Sequence, residues 1–548
     1  MRSKMFRLAA VLMVCAMLLG TFGCGKDDNK GKAKDTFVLG CYVYADSFDP
    51  AGYQNASWET VRDGVGECLF RFDNDMTPQP LLCDTYQVSD DHITWTFHIR
   101  DGVKFSNGKP CDAQAVSDCL NRLYWVCENK SDTHSSTPYK YVKANSITAD
   151  TSANTVTIVL DKPIADVRGP LCFPFYQIID VEGDLHDDSH NYADDATTVI
   201  GTGPYVIASF DKTTLNAEFV RNEYYWQGEV PFKGYTRKFI EDDTTKAMAL
   251  KNGDIDVTEN ITTDADLAEL TADPNFYVSR TPGIRTGISY VNFKGILAND
   301  ALRKAVMMAV DGKTICDVTV GGIYTYGAPV LPTGLGYDHS KLTVKYGFDV
   351  EGAKKLLDEA GIVDTDGDGI RELDGKNIKL DYLTYSSRRL SDLAEATAVS
   401  LKAIGIDTNI NHSDSDTTWN LLMAGKYDLC SSNWQTAAVG DPSGFLMNWY
   451  GGTDGSNLYS ESNSGGANYT GYDNDEFDEA YDKFVSSMDE AERDELVLKM
   501  EQILLDDAVV LVHGYYNSCM ISNVKTVTGA EISTIDFYWI TNKIAPVK

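Results

Sequence analysis

The chain has 548 residues with an ordinary globular content of hydrophobic residues, 43%, and a formal net charge of −33. This length exceeds what one simple hydrophobic core accommodates and predicts two or three domains. An acidic surface of this size repels nucleic acids, so a nucleic-acid-binding role is excluded.

The N-terminus has the order of a secretory signal. Three basic residues precede the apolar run 8–19, and small residues then lead to Cys24. The apolar run is shorter than the roughly 20 residues that a helix needs to cross a bilayer. We predict a lipoprotein signal peptide at 1–23, lipidation of Cys24 and a flexible, polar tether at 24–35. An ordinary signal peptide with a chance cysteine is the alternative.

Strand and helix patterns alternate along the rest of the chain. Alternating apolar and polar residues predict strands at 93–99, 155–160, 206–210, 215–220, 255–257 and 378–384. Amphipathic spacing predicts helices at 113–125, 244–250, 300–310, 350–360 and 489–505. Asp392 and Glu395 have the spacing of a capping box and predict the start of a further helix that ends at Gly405. This alternation favours an α/β protein.

The cysteines contain no metal-binding or redox motif. Ten of them follow Cys24, and no two have C-x-x-C spacing, which disfavours a zinc ribbon or a thioredoxin-like site. Most are flanked by apolar residues, as is typical of buried thiols. Disulfides stay open at this point, because a location outside the cell permits them.

The chain also lacks the familiar catalytic motifs. It has no P-loop, no H-E-x-x-H, no G-x-S-x-G and no G-x-G-x-x-G after a strand. The absence of these motifs agrees with a protein that is not an enzyme, but it does not exclude an enzyme. Pairs of catalytic carboxylates leave little trace in a sequence, so a secreted hydrolase stays an alternative.

One acidic loop is suggestive of metal binding. Asp364, Asp366 and Asp368 occupy alternate positions before a glycine, as in a calcium loop, but Gly375 stands where the twelfth residue would be glutamate. Two interpretations are open: a structural calcium site, and a turn rich in aspartate and glycine. No other cofactor is predicted.

Eight segments in a fixed order carry further information. They are LFRFDNDMTPQPLLCDTYQVSDDHITWTFHIRDGVKFSNGKP (69–110), IGTGPY (200–205), RNEYYW (221–226), ALKNGDIDV (249–257), NDALRKAVMMAVDGKTI (299–315), GAKKLLDEAGI (352–362), LKAIGI (401–406) and YDLCSSNWQTAAVGDPSGFL (427–446). Together they resemble the bacterial extracellular solute-binding proteins of family 5, which are peptide- and nickel-binding lipoproteins of ABC importers.

The resemblance implies an α/β fold of the type II periplasmic-binding-protein class. This fold is a two-lobed clamshell with an extra inserted domain, three domains in all, and it holds the ligand between the lobes. Mapped onto this chain, domain I is discontinuous and comprises 36–55, 198–283 and 508–548. Domain II comprises 56–197, and domain III comprises 284–507.

The resemblance also implies where a ligand is held. Peptide binders of this family often hold the amino end of the ligand with an aspartate three residues after the tryptophan of a W…DP loop. Here Ala437 stands in that position after Trp434. The arginine that holds a ligand carboxylate falls at Arg388 or Arg389, and a planar guanidinium suits a carboxylate. The predicted ligand-binding residues are Trp434, Arg389, Arg388, Asn433, Gln435, Trp58 and Ser57.

These observations predict a lipid-anchored substrate-binding protein of an ABC importer. We expect a monomer that captures short peptides or similar small zwitterions, closes over them and delivers them to the permease subunits. It would lie on the surface of a bacterium without an outer membrane, or in a periplasm. A metal-chelate-binding protein stays open, because 384–396 and VGDPSGFL resemble the nickel branch, although 172–176 lack the arginine of that branch. A ligand-sensing receptor is a further alternative.

Overall fold

The computed structural model describes residues 34–548, apart from 52–53, 130–141, 144, 187–191, 193, 453–454, 461 and 536–537. The predicted signal peptide, Cys24 and all but the last two residues of the predicted tether lie outside the described residues. Within the described part of the chain, no helix has both the length and the apolar character needed to cross a membrane.

Strands and helices alternate throughout, as predicted. The strands are β1 (Thr36–Cys41), β2 (Phe70–Phe72), β3 (Pro78–Pro80), β4 (Cys83–Val88), β5 (Thr94–Ile99), β6 (Thr148–Asp150), β7 (Thr155–Val159), β8 (Tyr205–Asp211), β9 (Asn216–Arg221), β10 (Gly234–Phe239), β11 (Val257–Glu259), β12 (Phe276–Val291), β13 (Tyr324–Thr325), β14 (Glu372–Leu373), β15 (Lys376–Asn377), β16 (Lys379–Thr384), β17 (Asp407–His412), β18 (Leu429–Gln435), β19 (Val510–Asn523), β20 (Val527–Thr528) and β21 (Ala545–Pro546). The α-helices of four or more residues are α1 (Gln54–Arg62), α2 (Ala113–Asn129), α3 (Asp243–Asn252), α4 (Asp264–Ala272), α5 (Asp300–Ala309), α6 (Val350–Glu359), α7 (Leu390–Lys402), α8 (Ser415–Met423), α9 (Ser443–Leu446), α10 (Asp475–Ser486) and α11 (Glu490–Asp506).

Most predicted elements are confirmed, with two corrections. The strand predicted at 255–257 lies two residues later, at β11. The capping box predicted at Asp392 is wrong, because α7 already begins at Leu390 and the Asp392 carboxylate accepts a hydrogen bond from Arg389 Nε instead. The chain enters α7 through two residues in the left-handed region, Arg388 (φ 50°) and Arg389 (φ 59°).

One large mixed sheet spans the molecule. Among the described residues its strand order is β17-β16-β18-β12-β19-β11-β1-β10-β9-β8, with β13 added beside β19. We call lobe 1 the half that contains β1 and β8–β11, together with the elements of 54–199 that pack on it. Those elements include a separate four-stranded antiparallel sheet, β4-β5-β7-β6. Lobe 2 is the half that contains β16–β18 and the helices around it.

Two long strands are shared by both lobes. In lobe 1, β12 from Phe276 to Pro282 pairs with the second half of β19, and β19 in turn pairs with β11. In lobe 2, β12 from Thr286 to Val291 pairs with β18 and with the first half of β19. The pairing register shifts between Pro282 and Thr286. The covalent and hydrogen-bonded connection between the lobes therefore runs through this irregular crossing.

The buried apolar side chains form several clusters. The largest fills lobe 1 and combines side chains of the four-stranded sheet with those of β1, β9 and β10. Two clusters fill lobe 2, one around Trp449 and one around Tyr382. A further cluster joins α3 and α4 to the start of α7, through Leu267 and Leu390. The largest cluster includes residues of both predicted domains I and II, so these clusters do not separate the two domains. The predicted domain boundaries therefore stay predictions.

Nine of the ten cysteines that follow Cys24 are buried and carry free thiols. Burial raises the pKa of Cys41 to about 12 and that of Cys119 to about 11. Since the thiolate is the reactive form, these side chains behave as small apolar core residues in the folded protein.

A buried polar group lies where the shared strands meet β16. His513 of β19 is 1% exposed, and its Nε2 lies 2.8 Å from Ser289 Oγ and 3.2 Å from Tyr382 Oη. Burial lowers the pKa of His513 to about 4. The imidazole is therefore neutral in the folded protein at neutral pH.

We expect His513 to make the folded state sensitive to acid. Its pKa in the folded protein lies below the ordinary 6.5, so the unfolded chain binds the extra proton between pH 6.5 and about 4. Stability therefore falls as the pH falls through this window, by up to about 3 kcal/mol. Chemical denaturation of His513→Asn between pH 7 and pH 4.5 should show a shallower pH dependence than the wild type.

The matched control for this measurement is His98→Asn. His98 is half-buried at the surface and pairs with Asp84 at 2.7 Å. An identical pH dependence in the wild type and His513→Asn would contradict the assignment of this acid sensitivity to His513.

Candidate ligand-binding site

The strand directions indicate where a ligand binds. β1 runs parallel to β10 and β11 in lobe 1, and β16 runs parallel to β17 and β18 in lobe 2. In open α/β sheets, ligands bind in the crevice outside the carboxyl ends of such strands. Aromatic and cationic side chains follow these ends in both lobes, and they form the two walls of the candidate site.

The lobe 1 wall is an arginine among aromatic rings. Arg62 ends α1, and its guanidinium carbon lies 4.9 Å from the ring centre of Tyr44, 5.6 Å from that of Trp58 and 5.7 Å from that of Tyr538. Tyr44 is half-buried and follows the carboxyl end of β1, whereas Arg62 is only 9% exposed. This arrangement fixes the guanidinium in one orientation through cation–π contacts.

An ion-pair network below α1 supports this wall. Glu59 lies one turn before Arg62, at 4.0 Å. Its carboxylate also accepts hydrogen bonds from Arg237 Nη1 at 2.6 Å and from the backbone N–H of Tyr44 at 3.0 Å. Arg237 Nη1 donates a further bond to Asp63, at 2.5 Å. The side chains of Arg237, Glu59 and Asp63 are all fully buried. Removing one of them would therefore leave a buried charge without its partner.

The lobe 2 wall is formed around the end of β18. Trp434 is half-buried and packs against Trp419 and Phe445, with ring centres 6.3 Å and 6.5 Å away. Asn433 Nδ2 donates to Tyr324 Oη at 3.0 Å, and Asn433 accepts from Arg285 Nη1 through its backbone oxygen at 3.3 Å. The predicted residues Asn433 and Trp434 thus lie together, with an arginine and a tyrosine that were not predicted.

The two walls are linked by one segment. Gln435, a predicted ligand residue, donates from Nε2 to Ile535 O at 3.0 Å. The backbone N–H of Ile284 donates to Thr534 O at 3.1 Å. Three residues beyond Ile535, the chain reaches Tyr538 of the lobe 1 wall. Gln435 therefore positions this segment in the described structure.

The two adjacent arginines have different surroundings. Arg389 donates from Nη1 to Asp264 Oδ1 at 2.8 Å and also pairs with Asp392, so its charge is matched within the protein. Arg388 lies over the ring of Tyr516 at 5.7 Å, and its backbone oxygen accepts a bond from Tyr324. Both arginines stay predicted ligand residues.

The other two predicted residues lie deeper. Ser57 is fully buried, and its backbone oxygen accepts from Gln177 Nε2 at 2.9 Å. Trp58 is 7% exposed and packs edge-on against Phe173, with ring centres 5.4 Å apart. Of this pair, only Trp58 contributes a side chain to the lobe 1 wall.

The sequence interpretation missed Tyr44, Arg62, Tyr538, Arg285 and Tyr324. One signal was available, since Trp58 and Arg62 are four residues apart and share a face of α1. Tyr538 lies 476 positions from Arg62 in the chain, and only the folded sheet brings the two together.

The predicted calcium loop is held by its own hydrogen bonds. The Asp364 carboxylate accepts from the backbone N–H groups of Gly367 and Gly369, and Asp368 accepts from Asn377 Nδ2. Ligand oxygens of Asp364, Asp366 and Glu372 lie within 4.8 Å of one another, so Glu372 takes the place predicted for Asp368. Calcium binding at this loop stays a prediction.

The lobes touch at the entrance of the site. Ala438 and Val439 of lobe 2 pack against the lobe 1 core. A β-carbon on Gly169 of lobe 1 would lie 2.3 Å from Val439 O, and one on Gly440 would lie 3.1 Å from the ring of Phe72. Glycine at 169 therefore permits a closed arrangement of the lobes.

Two sheet halves joined by crossing strands, with aromatic and cationic residues beyond the carboxyl ends of strands in both, are the architecture of a two-lobed solute-binding protein. Residues 77–457 match the family model of bacterial extracellular solute-binding proteins, family 5 middle. Because the match covers more than half of the chain, the protein belongs to this family. Family members serve ABC importers, lie in an extracellular or periplasmic location and are transport binding proteins rather than enzymes.

Individual relatives support this assignment. The chain is 26% identical to heme-binding protein A of Haemophilus influenzae, over 91% of each chain. It is 25% identical to a probable D,D-dipeptide-binding periplasmic protein of Escherichia coli, over 90% of this chain and 91% of the other. The crystal structure of NikA from Brucella suis in complex with Fe(III)-EDTA covers 93% of this chain and 100% of its own, at 22% identity with a TM-score of 0.79, and shows the same fold. The predicted family and the α/β clamshell fold are thus confirmed.

We expect Gly169→Ala to oppose closure. The added methyl group would overlap Val439 O in the described structure but would meet no such obstacle with the lobes apart. Overpacking of this kind costs about 1–3 kcal/mol. Small-angle X-ray scattering should therefore give a larger radius of gyration for the variant than for the wild type.

Gly444→Ala is the matched control. It adds the same methyl group just beyond the entrance loop, where no heavy atom lies within 4 Å. Scattering curves that coincide for the wild type and both variants would contradict a closure role for Gly169.

Proposed function

We propose that this protein captures short peptides outside the cell and delivers them to the permease of an ABC importer. The observation that carries this proposal is the pair of walls at the carboxyl ends of the strands, one in each lobe, each with an arginine near aromatic side chains. Such walls suit a ligand that has a carboxylate and a peptide backbone, and they place few demands on the side chains of that ligand. The Escherichia coli relative, a probable D,D-dipeptide-binding protein, supports a peptide ligand.

In this proposal, Arg388 binds the ligand carboxylate and Trp434 packs against the ligand. Asn433 is positioned by Arg285 and Tyr324, which orients its amide for a ligand backbone. The irregular crossing of β12 and β19 acts as the hinge, and the contacts of Val439 and Gly440 close the entrance. No covalent chemistry is involved, and a monomer is sufficient.

A metal chelate is the second candidate ligand. Ala437 takes the place at which peptide binders of the family often have an aspartate for the amino end, and this residue is 2% exposed. A ligand without a free amine, such as a carboxylate chelate of a metal ion, would need no acidic partner there. The Brucella suis protein of the same fold is in complex with such a chelate, Fe(III)-EDTA.

We further propose that a lipid on Cys24 holds the protein at the membrane. The chain around Cys24 has the order of a lipoprotein signal, and a polar segment follows it. A binding protein that serves a permease benefits from this tether, because it raises the local concentration of loaded protein at the membrane.

We expect the purified ectodomain, residues 25–548, to carry peptide. Native mass spectrometry should show a mass increase, and release by denaturation should yield short peptides that are chemically unchanged. Recovery of a metal with a small organic chelator would favour the second candidate. Recovery of hydrolysis products from added peptides would instead indicate a hydrolase.

The two adjacent arginines provide matched variants for this measurement. Arg388→Gln is expected to lose most of the bound peptide at an unchanged unfolding temperature. Arg389→Gln removes the ion pairs with Asp264 and Asp392, so we expect it to retain peptide and to unfold at a lower temperature. Equal retention by both variants would remove Arg388 from the proposed site.

We expect Cys24→Ala to detach the protein from the membrane. In the native bacterium, the variant should appear in the medium or periplasm, or accumulate as unprocessed precursor, whereas Cys127→Ala should stay membrane-bound. Cell fractionation with immunoblotting distinguishes these fates. Membrane retention of a normally cleaved Cys24→Ala protein would contradict lipidation at this residue.

A further inference from the structure

The entrance loop, residues 436–442, connects β18 to α9 and meets lobe 1 directly. In its middle, Val439 O lies 2.3 Å from the β-carbon position of Gly169, and the β-carbon position of Gly440 lies 3.1 Å from the ring of Phe72. The loop contains turns and bends but no helix or strand of its own. Its shape is therefore determined by the contacts that hold its two ends.

The first end of the entrance loop is held at the crossing of the two shared strands. Thr436 donates both its backbone N–H and its hydroxyl to Ile284 O, each at 2.9 Å. Ile284 lies within the register shift of β12, and its own N–H donates to Thr534 O at 3.1 Å. Thr436 is 1% exposed, so water does not compete for these bonds. The loop thus begins at the irregular crossing that serves as the hinge in the proposed function.

The second end of the entrance loop is held by an arginine that is distant in sequence. Asp441 Oδ1 accepts from the backbone N–H of Ser443 at 2.9 Å, at the start of α9. Asp441 Oδ2 accepts from Arg493 Nη2, also at 2.9 Å. Arg493 belongs to α11 and lies 52 positions after Asp441 in the chain. The carboxylate of Asp441 therefore joins the end of the loop to a long helix of lobe 2.

Arg493 is itself fixed by the corner between α10 and α11. Its Nη1 donates to Phe484 O at 2.7 Å, and its guanidinium carbon lies 4.2 Å from the centre of the Phe484 ring. The side chain is 16% exposed. Since Phe484 already restrains the guanidinium, pairing with Asp441 orders few additional bonds, and such a pair is stronger than one between free surface side chains.

We propose that Arg493 is a positioning residue for closure of the two lobes. By holding Asp441, it keeps the entrance loop in the shape that meets Gly169 and Phe72 of lobe 1. The proposal rests on the proposed function, in which closure retains the ligand. Contacts between the loop and lobe 1 exist only in the closed form, so a residue that shapes the loop shifts the equilibrium between the open and closed forms.

The test is hydrogen–deuterium exchange, followed by mass spectrometry, on the purified ectodomain, residues 25–548. Arg493→Gln should speed amide exchange by about three- to tenfold in two segments, the entrance loop and 167–172 of lobe 1. The hydrogen bonds of Arg493 among the described residues are all made within lobe 2. Faster exchange at 167–172 therefore reports separation of the lobes and not a local defect around residue 493.

Asp441→Asn distinguishes positioning of the loop from support of the helix corner. It removes the charge at the end of the loop but leaves the bond from Arg493 to Phe484 O in place. We expect the same faster exchange at 167–172 with a smaller loss of unfolding temperature than in Arg493→Gln. The double variant should exchange no faster than the faster of the two single variants, because both remove one interaction. Arg493→Lys keeps the charge and should lie between the wild type and Arg493→Gln.

Lys499→Gln is the matched control. Lys499 is also on α11 and pairs with Glu476 of α10 at 3.0 Å, so its substitution removes an ion pair between the same two helices. Exchange at 167–172 should equal that of the wild type. An equal rise in Lys499→Gln would show general loosening of lobe 2 and would overturn the assignment to Arg493. Gly169→Ala, which opposes closure from the lobe 1 side, gives the exchange expected for separated lobes.

The outcomes separate this inference from the proposed function. Native mass spectrometry of the same samples reports whether the wild type carries peptide. If it carries none while Arg493→Gln and Asp441→Asn still speed exchange at 167–172, peptide capture fails and the closure role stands. If it carries peptide and neither variant changes exchange at 167–172, the protein is a peptide binder in which Arg493 does not position the entrance loop for closure.

Discussion

The crossing of β12 and β19 is the constraint on which the rest of the molecule depends. These two strands are the ones that pair within both halves of the large sheet, so main-chain hydrogen bonds tie the two lobes into one framework. A regular ladder would make that framework rigid. The register shift between Pro282 and Thr286 interrupts the ladder at the boundary between the lobes. We propose that the hinge of the protein lies there.

Buried charge organises the lobe 1 wall. Arg237, Glu59 and Asp63 are withdrawn from water and bonded to one another, and the backbone N–H of Tyr44 joins them. A buried network of this kind adds little to stability compared with apolar packing, yet it tolerates only one geometry. It therefore fixes the end of α1 and, with it, the guanidinium of Arg62. The lobe 2 wall is fixed differently, through left-handed backbone at Arg388 and hydrogen bonds among Asn433, Tyr324 and Arg285.

The overall charge of the protein is negative, whereas both walls of the candidate site contain arginine. The strongly acidic surface keeps the molecule soluble and disfavours nucleic acids and other polyanions. The walls of the site, in contrast, present arginines against aromatic rings. In the proposed function, short-range hydrogen bonds to arginine outweigh the screened repulsion between the acidic surface and a ligand carboxylate.

Much of this could be predicted from the amino-acid sequence, because local patterns determine it. The alternation of apolar residues at 93–99 predicted β5, the amphipathic spacing of 350–360 predicted α6, and the ordered segments between 69 and 446 predicted the family and its fold. The site was predicted only in part. Trp434 and Asn433 lie in one segment and were found together, whereas Arg62, Tyr44 and Tyr538 come from three distant parts of the chain. The ion pair of Arg389 depends on Asp264, which is 125 positions away in the chain and reaches Arg389 only through the folding of α4 against α7. Sequence patterns report what neighbouring residues do, but which charges meet one another inside the protein is decided by tertiary contacts.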